Sequence, residues 1–158
     1  MMKYSTSILT KKAVIEDYIP LLIKTEQKLG NTNYMFFRQD TKKGLLEIGF
    51  DASTHLVHKI CLLMCKDYRV LETGYLIPDD HVVGDLIIEA PNDIITSTFF
   101  CEIYSNAIKI LISSETSTER IVSDNLVWEL NDNGSITSLT VYGLSHNYIK
   151  HAIDELSS

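Results

Sequence analysis

The stretch that decides the fold is Leu126-Val127-Trp128-Glu129-Leu130-Asn131-Asp132-Asn133-Gly134-Ser135-Ile136-Thr137-Ser138-Leu139-Thr140-Val141-Tyr142-Gly143-Leu144. An Asn-Gly pair between apolar runs is the strongest short hairpin signal. A type I′ turn needs positive φ at both central residues, and Asn and Gly tolerate it. Leu126–Leu130 and Ile136–Leu144 are therefore predicted to pair as antiparallel strands. Ile136, Leu139 and Val141 give the return strand its apolar content. Trp128, the only tryptophan, sits between Val127 and Glu129 and reads as a core residue, with a contact anchor as the other reading.

Working outward, Ser145–Leu156 has a capping serine before Tyr148, Ile149, Ala152, Ile153 and Leu156, which share one helical side. On the N-terminal side, Arg120–Val122 follows a polar loop, Ser114–Glu119. Ile94–Tyr104, a Ser105-Asn106 turn and Ile108–Ser113 read as a second hairpin. Residues 67–93 are broken up by Gly74, Pro78, Gly84 and Pro91. Before them, Tyr34–Arg38, Leu45–Phe50 and Val57–Cys65 lie at the spacing of an antiparallel meander, with turns at Thr41-Lys42-Lys43-Gly44 and Asp51-Ala52-Ser53-Thr54. The Leu45–Leu62 and Leu126–Val141 segments echo one another: a strand, a polar turn with Asp, then a longer strand. That echo is what hairpins in general show; a real one would mean two similar sheet halves packed together.

Residues 11–29 carry Ala13, Ile15, Ile19, Leu22, Ile23 and Leu29 at three- and four-residue steps, which predicts some helix. Thr10 is a candidate cap and Gly30 a stop. Pro20 conflicts with the interior of that helix, where it would cost about 3 kcal/mol, so it kinks the helix or starts a shorter one. The expected fold class is α+β: one domain over residues 1–158, mainly an antiparallel β meander or sandwich, with a helix near each end.

Charge is sorted along the chain. Residues 1–69 hold 11 Lys/Arg against 7 Asp/Glu, and residues 70–158 hold 3 against 14. No basic side chain falls between Arg69 and Lys109, whereas Glu72, Asp79, Asp80, Asp85, Glu89, Asp93 and Glu102 all do. The net charge of −7 disfavours generic binding to phosphate backbones. Lys11, Lys12, Lys42 and Lys43 read as solvated surface. No apolar run reaches the length of a membrane-spanning helix, and Met1–Lys12 lacks the apolar centre of a secretory signal. The expectation is a cytoplasmic protein with no membrane partner, in which Cys61, Cys65 and Cys101 stay reduced.

Motifs for chemistry are sparse. His55, His58, Cys61 and Cys65 are zinc-ligand types. On a helix they would share a face; on the strand that their surroundings favour, His58 points away from the other three. His81 follows Asp79-Asp80 in what reads as an exposed loop. Asp85, Glu89 and Asp93 recur every four residues, but Gly84 and Pro91 oppose a helix there. Cys101 has apolar neighbours, which raise a thiol's pKa. There is no Gly-x-Ser-x-Gly elbow and no glycine-rich phosphate loop. The expectation is no catalytic residue, metal or cofactor. Tyr68, Tyr75 and Tyr104 lie in or beside the acid-rich half, a combination suited to a protein-binding face.

In length, acidity and helix–meander–helix outline the chain resembles bacterial immunity proteins, the cytoplasmic inhibitors paired with secreted toxins. The resemblance is one of general character and assigns no residue. It implies a binding protein, not an enzyme, that neutralises a basic protein partner such as a nuclease toxin. The expected contacts are Glu72, Asp79, Asp80, Asp85, Glu89 and Asp93. The competing readings are a small enzyme or small-molecule binder with a pocket between sheet and helix, built on His55, His58, His81 and the neighbouring acids, and a homo-oligomeric structural or assembly module that uses an exposed edge strand of the meander.

Overall fold

A computed structural model describes residues 4–27, 30–39, 43–89, 94–96 and 99–158. Two sheets dominate. The first has six strands in the order β10-β4-β5-β6-β3-β2. These are β2 (Lys11–Ala13), β3 (Leu21–Thr25), β4 (Thr32–Gln39), β5 (Gly44–Asp51), β6 (Val57–Cys65) and β10 (Ile94–Thr96). The second has seven, in the order β7-β11-β12-β15-β14-β13-β8. These are β7 (Tyr68–Val70), β8 (Val82–Val83), β11 (Phe100–Ile103), β12 (Ala107–Leu111), β13 (Glu119–Ser123), β14 (Leu126–Leu130) and β15 (Ile136–Tyr142). A short pair, β1 (Tyr4–Ser5) with β9 (Asp85–Leu86), forms a two-stranded sheet of its own, with Leu86 in the common core. Pairing is antiparallel except at β10·β4, β11·β7 and β13·β8.

Alternation builds the core. Met35, Phe37, Leu46, Ile48, Ile60 and Leu62 from the first sheet join Cys101, Ile110, Ile121, Trp128, Leu139 and Val141 from the second in one hydrophobic cluster. Each strand turns its other residues outward, so each sheet keeps an outer face of different character. Trp128 is fully buried in this cluster, as its neighbours imply. The echoing hairpins, β5–β6 and β14–β15, each lie inside one of the two sheets.

The hairpin forms, with a different turn. Among residues 131–134 only Gly134 has positive φ, at 78°. Its N–H donates to the Asn131 carbonyl, and the Asn131 side chain accepts from Asn133 N and Ser135 N. A bulge at Glu129/Leu130 completes this longer loop. The single helix among the described residues is α1 (His146–Leu156), and Ser145 caps it by accepting from Tyr148 N at 3.1 Å. Tyr148 Oη accepts from Leu22 N at 2.9 Å and donates to Val14 O at 3.0 Å, tying α1 to β3.

The helix expected within residues 11–29 is replaced by β2 and β3, which pair through Lys12↔Lys24. Pro20 keeps the residue before it out of the helical region. Leu21, Leu22 and Ile23 are all buried. A strand covered on both sides gives such an unbroken apolar run, and that run imitates helical spacing. The stretch Ile94–Tyr104 also divides: β10 belongs to the first sheet and β11 to the second. Only β11 and β12 make the expected hairpin.

Candidate functional site

The sheet order dictates the main surface feature. β7 and β8 are the two edges of the seven-stranded sheet, and residues 71–81 connect them. Crossing seven strands takes about 29 Å at about 4.8 Å per strand. Eleven residues reach at most about 40 Å when extended. The segment therefore runs as a strap over the outer face. Hydrogen bonds fix its first half beside the β11–β12 turn: Leu71 N to Ile103 O, Ser105 N to Thr73 O, and Tyr75 N to Asn106 Oδ1. The Tyr75 ring meets Tyr104 edge-on at 5.5 Å and its hydroxyl comes beside Thr140. Burial pushes the Tyr75 phenol up from its usual range. Outward-facing Val127, Thr140, Ser138 and Glu129 are buried on this face, which the strap and the long side chains beside it account for.

Charge on this covered face is paired. Arg69 Nε donates to Glu102 at 2.8 Å. Glu129 lies 3.4 Å from Lys109 and 3.0 Å from Arg120, and it accepts from Ser138 Oγ at 2.7 Å. Burial tends to raise the Glu129 carboxyl, but Ser138 and the two cations hold it below its usual value.

What the strap presents to solvent is different. Leu76 is 86% exposed and Ile77 38%. Glu72, Asp79 and Asp80 are exposed on either side of them, and none forms an ion pair among the described residues. His81 Nδ1 lies 2.5 Å from the Pro78 carbonyl in an exposed loop. An acidic segment with a bare leucine near its middle suits docking: acids steer the approach and the apolar side chain is desolvated on contact.

The other expected contacts scatter. Asp85 is 1% exposed and lies in the interior. It binds Lys11 Nζ at 2.6 Å and accepts from Leu9 N at 2.7 Å. Lys11, expected in solvent, is consequently buried. These two residues are 74 positions apart, beyond the reach of local patterning. Glu89 is exposed, and Asp93 lies outside the described residues. The acidic surface is thus narrower than the linear sorting implied. Asp85 and Glu102 are each offset by a cation from the first 69 residues, while Glu72, Asp79 and Asp80 stay in solvent.

The zinc-ligand types do not converge. His55 Nδ1 meets the Ile88 carbonyl at 2.8 Å, and His58 Nε2 meets Thr32 Oγ1 at 2.9 Å. Cys61 lies on the outer face of the first sheet, its thiol pushed up to about 11 by burial. Cys65 points inward, thiol to thiol with Cys101; that contact and burial hold Cys101 well above the usual range. Among the described residues no three His, Cys, Asp or Glu side chains are placed to hold a metal. A cavity of about 130 Å³ between α1 and β6 is lined by Tyr18, Pro20, Met64, Lys66 and Glu155 among others. None of His55, His58 or His81 reaches it, and it is smaller than usual small-molecule sites. No described helix is long and apolar enough to cross a membrane. No protein-family model and no curated protein matches this chain.

Proposed function

We propose that this chain is a binding protein of the toxin-immunity type, which occupies a basic protein partner with the strap at residues 71–81. The observation that carries this reading is Leu76, 86% exposed between exposed Glu72 and the exposed Asp79-Asp80 pair, none of which has an ion pair among the described residues. A leucine so bare loses a favourable burial of roughly 2 kcal/mol while it stays in water. A partner with an apolar cleft rimmed by Lys or Arg recovers that burial and satisfies the acids at the rim. Tyr75 fixes the strap on the sheet, so less ordering entropy is lost on docking.

The test is capture from the source cell with the full chain as bait, compared with Leu76→Asp and with Asp79→Asn/Asp80→Asn. One basic protein should be held by the wild type at low salt, lost with Leu76→Asp, and weakened by raised salt or by the double asparagine variant. A captured protein indifferent to all three changes would refute the assignment, as would no specific capture at all.

A further inference from the structure

We infer that the lysine row on the outer face of the six-stranded sheet, beside the covered Leu22 and Cys61, is a second binding surface, built for single-stranded nucleic acid. Across five strands one register row reads Tyr34, Gly49, Lys59, Lys24, Lys12. Three lysines stand directly abreast on β6, β3 and β2, over a width of about 10 Å. Like charges directly opposite one another weaken a sheet, and none of the three has an ion pair among the described residues. At the end of the row Lys59 Nζ lies 5.8 Å from the centre of the Tyr34 ring, and Tyr34 stacks on Phe36 at 5.9 Å. Gly49 makes this approach possible: a Cβ there would stand 3.2 Å from Lys59 Cβ and 3.3 Å from the Tyr34 ring. Exposed Arg38 continues the Tyr34 and Phe36 side of β4.

A row of cations that ends on a stacked aromatic pair matches a strand of phosphates whose bases can lie on rings. A double helix would offer phosphates but no free base face. Glu47, opposite Cys61 in the next row, Glu16, near Cys61, and exposed Glu26, two residues beyond Lys24 where the β2–β3 pairing continues through Thr10, are acids on this side; they narrow the surface, and none forms an ion pair with the three lysines among the described residues. The acids of the strap lie on the outer face of the other sheet. Packed sheets are about 10 Å apart, so at physiological salt, with a screening length of about 8 Å, those acids act weakly here. The net charge of −7 therefore does not set the potential at this row.

Fluorescence anisotropy with a labelled twelve-nucleotide oligothymidine and the full chain tests the inference. Binding should appear at 20 mM salt and fall with a log–log slope of about −2, as three neutralised phosphates imply. Lys24→Glu/Lys59→Glu should weaken it more than tenfold, and Tyr34→Leu roughly tenfold. Lys12→Glu/Lys24→Glu, with both changed side chains exposed, guards against a variant that fails to fold. Leu76→Asp should leave oligonucleotide affinity within twofold, which separates this surface from the strap. Absence of binding by the wild type, or binding unchanged by the lysine variants, would overturn the inference. So would full affinity in Tyr34→Leu together with equal competition by polyglutamate, which would make an acidic polypeptide the occupant.

Discussion

The two outer faces of this molecule treat charge in opposite ways. On the seven-stranded sheet, Glu102 and Glu129 are met by Arg69, Lys109 and Arg120 under a crossing strap. On the six-stranded sheet, Lys12, Lys24 and Lys59 line up with no such partners among the described residues. Covered charges must be paired, because an unpaired ion out of water costs several kcal/mol. Solvated charges need no partner in the fold. The linear sorting of charge is therefore a poor guide to surface potential: it counts Asp85, Glu102 and Glu129 with Glu72, Asp79 and Asp80, although only the last three remain in solvent, unpaired among the described residues.

The contrast can be broken most forcefully at the buried pair. Asp85→Ala leaves the Lys11 ammonium without its carboxylate in the interior and should cost about 3–5 kcal/mol in urea unfolding. A loss below 1 kcal/mol would show that water reaches Lys11. Next is Glu129→Gln on the covered face, expected to cost about 1–3 kcal/mol at pH 7 through Lys109, Arg120 and Ser138. Its pH dependence has a definite sign. The folded carboxyl titrates below its unfolded value of 4.5, so its contribution is complete above that value. It fades as pH falls through the folded pKa. The difference between wild type and variant should therefore shrink in acid; a constant difference would remove the charge argument. The smallest effect is on the open face. Lys24→Glu relieves two like-charge neighbours and should raise stability by about 0.2–1 kcal/mol. A clear loss would mean that these lysines serve the fold.

What the sequence displays depends on how local each signal is. The Asn131–Gly134 turn, the Ser145 cap and the alternation of Leu45–Phe50 all act within a few residues, and the structure keeps each element, though Gly134 alone takes positive φ in that turn. Leu22 and Ile23 fit a helical spacing although they lie on β3, because burial on both sides erases the period of two that marks a strand. Periodicity also carries no label for the sheet that a strand joins, so the division between β10 and β11 was not readable. At the candidate site, Glu72, Asp79 and Asp80 were legible as acids in a loop punctuated by Gly74 and Pro78. Leu76 belongs to a short apolar piece, residues 75–77, too short to have a period that tells a buried side chain from a bare one. Its significance comes from the distance between β7 and β8, which only the sheet order fixes. The burial of Asp85 is hidden for the same reason, as its partner Lys11 lies 74 positions away in sequence.

The central claim, that the strap docks a basic partner by charge-guided apolar contact, is tested most directly by association kinetics. Once the captured partner is purified, its rates with wild type, Asp79→Asn/Asp80→Asn and Leu76→Asp should be compared at two salt concentrations. The asparagine pair should slow association several-fold and leave dissociation nearly unchanged, with the difference vanishing at high salt. Leu76→Asp should speed dissociation at least tenfold at an unchanged urea midpoint. Identical rates for all three proteins at low salt would contradict the account.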